Sequence, residues 1–139
     1  MLLDTNIVSE AARGPKAHQG LRAWMATADE STLYLSVLTM GEIRKGIEKV
    51  TDATRQAALE TFFQQLAQRF AGRILACDEA VAERWGRLTG QSEARNIRLP
   101  VIDSLLAATA LEHDLTLVTR NVRDFRNMPI TVLDPTAPQ

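Results

Sequence analysis

Four carboxylates and one carboxamide stand where a parallel α/β sheet does its chemistry. Asp4 directly follows a short apolar run, Leu2-Leu3. Glu42 lies just beyond a second run, Leu33 to Val37, and Asp103 lies in the first turn of an apolar helical stretch. Asn121 and Asp124 follow a further run that ends in Thr119. Ligands in such sheets bind outside the carboxyl ends of the strands, so these groups converge on one edge. Like charges gathered there repel unless a cation lies between them. Oxygen ligands without nearby His or Cys suit Mg²⁺ or Mn²⁺. Such a site binds phosphate oxygens and activates water for phosphodiester hydrolysis.

Each residue also has a plainer reading. Asp4-Thr5-Asn6 has turn chemistry, and Thr39 with Glu42 has the spacing of a capping box. Asp103 suits the positive end of a helix dipole, and Asn121 and Asp124 suit a loop. Asp103 is the hardest to dismiss. It stands between Val101-Ile102 and Leu105-Leu106, an apolar setting in which a lone carboxylate is costly to desolvate.

The elements that must position these groups follow from hydrophobic periodicity. Expected strands are Leu2-Leu3, Leu33 to Val37, Arg73 to Cys77, Leu115 to Thr119 and Ile130 to Leu133. Expected helices follow Pro15, open at Thr39, follow Asp52 as far as Gly72, follow Asp78 as N-cap, and run after Pro100 as a central buried helix. Strands alternating with helices give an α/β fold with a parallel sheet covered on both faces. The length, 139 residues, suits a single domain spanning 1–139. No apolar run is long enough to cross a bilayer. The first residues carry neither the basic nor the apolar region of a signal peptide, and Cys77 is the only cysteine. A cytoplasmic location is expected, with Cys77 a small buried residue near a strand end. His18 and His113 form no acid–base pair and are read as structural.

A net charge of −1 excludes a surface that attracts nucleic acid everywhere, but not a local basic patch. Arg44 and Lys45 beside Glu42, and Arg120 and Arg123 after the last acidic motif, are candidates to neutralise flanking phosphates. Solvated helix and loop surface is the other reading for all four.

Four segments together resemble the PIN-domain family, particularly the VapC toxins and their FitB-like relatives. They are Leu2-Leu3-Asp4-Thr5-Asn6, the stretch from Ser36 through Glu42 with Arg44 and Gly46, Asp103 through Ala110, and Leu117 through Phe125. They span nearly the whole chain in the family's order. The resemblance implies a five-stranded parallel sheet in the order 3-2-1-4-5 with helices on both faces. It implies a Mg²⁺- or Mn²⁺-dependent endoribonuclease acting on structured RNA such as tRNA or rRNA. Asp4 and Asp103 carry over as metal ligands and Glu42 as a direct or water-mediated ligand, also suited to orient or deprotonate the attacking water. Thr5, Asn6 and Thr119 would orient carboxylates and waters. Implied partners are a VapB-type antitoxin, a second copy of the chain, and operator DNA reached through the antitoxin. Trp24, Met25, Met40 and Ile43 would line the antitoxin's groove or else belong to the core.

One position departs from the family pattern. Many relatives carry an acidic residue two positions after the last-motif Thr, where this chain has Asn121. A second metal would then be held weakly, and Asp124 is left as a loop residue. Two rival readings follow: a catalytically impaired PIN-fold binding module, and a phosphatase with Asp4 as nucleophile. The second usually shows Asp-x-Asp, whereas position 6 here is Asn.

Overall fold

The computed structural model describes residues 1–138. Its strands are Leu2–Leu3 (β1), Leu35–Ser36 (β2), Ile74–Leu75 (β3), Leu117–Val118 (β4) and Val132–Leu133 (β5). The helices are Thr5–Ala11 (α1), Gln19–Thr27 (α2), Val37–Glu48 (α3), Ala53–Arg69 (α4), Glu79–Glu93 (α5) and Val101–Glu112 (α6). All ladders are parallel. β1, β4 and β5 form one and β2 with β3 the other. A bridge between Leu2 and Tyr34 joins them, through Leu3 N–H to Tyr34 O (3.0 Å) and Tyr34 N–H to Met1 O (2.8 Å). The strand order is therefore 3-2-1-4-5, as expected.

Strand alternation sorts the core onto two faces. Leu2 and Leu117 point into one apolar cluster with Leu88, Leu106 and Phe125. Their neighbours Leu3 and Val118 point into the other, with Ile7, Leu21, Leu35 and Leu66. Both faces of the sheet are thus covered by helices, which is why the strands read as unbroken apolar runs.

The strands are shorter than the apolar runs suggested, because helix caps take over the chain at once. The Asp4 carboxylate accepts from Thr5 N–H and opens α1. Sequence periodicity does not reveal this helix, since Asp4-Thr5-Asn6 also reads as a turn. The Ser36 hydroxyl accepts from Leu38 N–H, so α3 begins at Val37 and not at Thr39. The Thr39–Glu42 capping box therefore does not form, and Glu42 falls in the second helical turn. Asp52 and Asp78 cap α4 and α5 as expected. His18 caps α2 through Nδ1, which accepts from Gly20 N–H, and His113 ends α6.

Two further expectations are corrected. Cys77 is exposed, because β3 ends at Leu75 and the chain is already turning toward the Asp78 cap. Val101 and Ile102 are 60% and 38% exposed, so they do not bury Asp103, and α6 is buried only from Ser104 onward. Trp24, Met25, Met40 and Ile43 are partly buried against the second core cluster.

The turn Val122–Phe125 carries Asp124 at the sheet edge and is anchored by Phe125, which is 1% exposed. Truncating a buried Phe removes its transfer free energy and leaves a cavity. Phe125→Ala should cost about 3–5 kcal/mol in urea unfolding. A cost below about 1 kcal/mol would contradict the packing described.

Candidate active site

Asp4 sits between β1 and α1 and is almost wholly buried, at 7% exposure. Three donors hold its carboxylate: Thr5 N–H (2.7 Å), the Thr119 hydroxyl (2.8 Å) and Asn6 Nδ2 (3.2 Å). An ionised carboxylate has about four acceptor positions, so roughly one stays open. Asn6 Nδ2 also reaches the Thr119 hydroxyl oxygen at 3.1 Å, and Asn121 N–H donates to that same oxygen at 3.0 Å. Thr119 at the end of β4 is thereby locked with its proton on Asp4.

Thr5 performs the matching service for α3. Its hydroxyl donates to Glu42 Oε1 at 2.6 Å, and the Thr39 hydroxyl lies 3.1 Å away. With the Thr5 proton committed to Glu42, Thr39 is the donor in the second bond. Thr39 is fully buried and was not anticipated as part of the site.

Asp103, half-buried in the first turn of α6, completes the cluster. Its carboxyl is pushed up from an ordinary 3.8 to about 6 by burial and then by the charges of Asp4, Asp124 and Glu42. Asp4 is also pushed up, mainly by burial and in part by Glu42 and Asp124, against the downward pull of Thr119 and Thr5. Asp124 stands close enough for its charge to be felt at both aspartates. The turn after Asn121 brings it to the edge three residues later than the family pattern. Asn121 contributes its backbone N–H, and among the described residues its side chain makes no cap to that turn.

The basic candidates separate sharply. Arg44 grips Glu60 with two bonds of 2.6 and 2.8 Å and lies over the Phe63 ring, tying α3 to α4. Its guanidinium is thus already engaged by a carboxylate within the fold. Arg120 donates to Glu10 Oε1 at 3.0 Å, and its N–H donates to Asn6 Oδ1 at 3.2 Å. Lys45 and Arg123 are exposed and in no ion pair among the described residues. Glu10 is a supporting residue that sequence reasoning missed. Its carboxylate also takes His18 N–H at 2.9 Å and Arg13 Nη1 at 3.1 Å, joining α1, α2 and the Arg120 loop. These contacts hold it below the usual carboxylate range, the His18 bond most strongly. An apolar neighbourhood, Ile7-Val8 and Ala11-Ala12, was the only hint that position 10 faces inward.

Among the described residues, no group of three or more His, Cys, Asp or Glu side chains is placed to hold a metal ion. The donor set nevertheless fits a hard divalent cation. It consists of oxygens only, its charges repel one another, and Asp103 carries no stabilising hydrogen bond among the causes of its shift. Asp4 and Asp103 could hold such an ion, with the charges of Glu42 and Asp124 felt at both.

The PIN domain family model matches residues 1–130. The chain belongs to the PIN-domain family. It is 32% identical to Toxin FitB of Neisseria gonorrhoeae over 136 residues, 97% of each chain. It is 39% identical to Ribonuclease VapC4 of Mycobacterium tuberculosis over 95 residues, 68% of this chain and 70% of that protein. The solved structure of FitAB bound to the IR36 DNA fragment superposes with a TM-score of 0.91 at 30% identity, covering 99% of this chain and 96% of that one. Family membership removes the aspartate-nucleophile phosphatase reading.

The shift at Asp103 sets a pH dependence. Between about 3.8 and 6 the folded protein holds a proton there that the unfolded chain has released. Unfolding then releases that proton, so this residue's contribution to stability is full below 3.8 and is lost as pH rises through 6. In EDTA, urea midpoints of the wild type should fall relative to Asp103→Asn between pH 4 and 6. Parallel profiles for the two proteins would contradict the assignment.

Proposed function

We propose that the chain is the toxin of a VapBC-type toxin–antitoxin pair and hydrolyses RNA internally at this acidic site with Mg²⁺ or Mn²⁺. The observation that carries the reading is the crowding of Asp4, Glu42, Asp103 and Asp124 at one sheet edge, with Asp103 lifted to about 6. The names of its relatives, a toxin and a ribonuclease, support the same activity. When bound, a divalent cation supplies charge neutralisation at the scissile phosphate and an activated water. Asp4 and Asp103 would hold it, and Thr119 and Asn6 fix the Asp4 carboxylate. Glu42, oriented by Thr5, is placed to take the proton of the attacking water. Asp124 supplies the negative charge that Asn121 lacks, which weakens the case for an inert binding module.

Structured RNA such as tRNA or rRNA is the proposed substrate class, and the cytoplasm the proposed location. No helix among the described residues is long and apolar enough to cross a membrane. A VapB-type antitoxin is the proposed partner. An apolar cleft of about 110 Å³ between α1, α2 and α4, lined by Ile7, Val8, Met25, Phe62 and Leu66, suits an apolar segment of such a partner. The FitAB structure with its DNA fragment supports a complex with antitoxin on operator DNA, and a homodimer is proposed from the family resemblance. The whole chain, 1–139, is taken as one PIN domain.

Purified protein should cut bulk tRNA or rRNA with Mg²⁺ or Mn²⁺ and not with EDTA. Asp4→Asn and Asp103→Asn should each lose more than the ~10–100-fold typical of a lost outer hydrogen-bond partner. Thr119→Val should fall within that ~10–100-fold range, in Mn²⁺ affinity and rate alike. Full cleavage in EDTA, or full activity of either Asp→Asn variant, would overturn the reading.

A further inference from the structure

We propose that the open groove along α3, from Glu42 to Lys49, seats the RNA backbone leaving the cleavage site, with Lys45 and Lys49 on successive phosphates. The proposal rests on the nuclease reading above and adds a path for the substrate.

The groove has a volume of about 510 Å³, and its lining includes Glu42, Lys45, Lys49 and Ile102. It begins at the acidic site, because Glu42 is bonded to Thr5 at 2.6 Å and Ile102 adjoins Asp103. Positions 38, 42, 45 and 49 are spaced by three and four, which puts them on one helical face. Lys45 and Lys49 lie about 6 Å apart along the axis.

Three independent features point to a polyanion there. First, the chain has 13 Arg but only three Lys, and two of those lysines line this groove. A lysine is a compact, mobile charge suited to backbone phosphate without base readout. Second, α3 separates its cations by face. Arg44 takes Glu60 and Glu48 on one side, while Lys45 and Lys49 make no ion pair among the described residues. Third, Gly41 and Gly46 line the same groove, and a Cβ added at either would meet nothing within 4 Å. Neither has a positive φ. Glycine inside a helix is unfavourable relative to alanine, and here neither packing nor backbone conformation requires it. A bare backbone at both positions lets an external chain come close. Val37 and Ile102, 41% and 38% exposed, form uncharged walls.

The test uses fluorescein-labelled bulk tRNA and protein silenced by Asp103→Asn, with affinity measured by anisotropy across a salt series. Adding Lys45→Gln and Lys49→Gln should weaken binding on the order of tenfold and flatten the log K against log salt slope by about 1.4, roughly 0.7 per lost phosphate contact. Lys16→Gln, away from the groove, should leave the slope unchanged. Gly41→Ala with Gly46→Ala should raise Tm yet weaken RNA binding, which separates the effect from misfolding. An unchanged slope in the lysine pair, or equal flattening by Lys16→Gln, overturns the proposal. So does a changed oligomeric state by light scattering with RNA affinity intact, which makes the groove a contact between copies. If the wild type cleaves RNA while these variants bind normally, only the groove falls. If the wild type neither cleaves nor binds RNA, the nuclease reading falls with it.

Discussion

Four carboxylates that repel one another are held at the carboxyl edge of a parallel sheet, and much of the local structure serves to keep them there. Asp4 is the fixed point. It ends the central strand, caps α1, and accepts three hydrogen bonds that reach β4 through Thr119. Thr5, the next residue, ties in α3 through Glu42. Burial and repulsion together keep Asp103 near a pKa of 6, a tension that a divalent cation would relieve. The parallel topology makes this possible, since only there do the ends of β1, β2 and β4 open on the same side.

Charge is managed by compartment. The chain is nearly neutral overall, yet it has an acidic centre, a buried Glu10 hub that ties Arg13 and Arg120, and an outward lysine pair on α3. Arg44 shows the logic most clearly. Its planar fork matches the Glu60 carboxylate and stacks on Phe63, so it acts as a clamp between helices. Its neighbour Lys45, one residue on, faces the groove beside Glu42. Adjacent basic residues on a helix thus serve different ends, because a step of one residue turns the side chain by about 100°.

Much of this was legible in the sequence. The parallel sheet and the positions of Asp4, Glu42 and Asp103 at its edge follow from apolar runs alternating with helical stretches, and the strand order from the family resemblance. What was not legible depends on three-dimensional competition. Ser36 and Thr39 are both good caps, and in the fold it is Ser36 that caps the helix. α1 has seven residues, too short for a clear periodic signal. Asp124 reaches the site because Phe125 is buried and tightens the turn, a link carried by packing rather than by spacing. Cys77 is exposed because β3 stops early, and an apolar residue type alone does not reveal that. Glu10 is a charged residue on an inward helical face, and its partners come from positions 13, 18 and 120.

The central claim is that these carboxylates share one hard cation. Crystals grown with Mn²⁺ and measured for anomalous scattering test it most directly. One strong peak is expected within coordinating distance of the Asp4 and Asp103 carboxylates. A well-ordered edge with no peak at millimolar Mn²⁺, or a peak held by residues elsewhere in the chain, would contradict it.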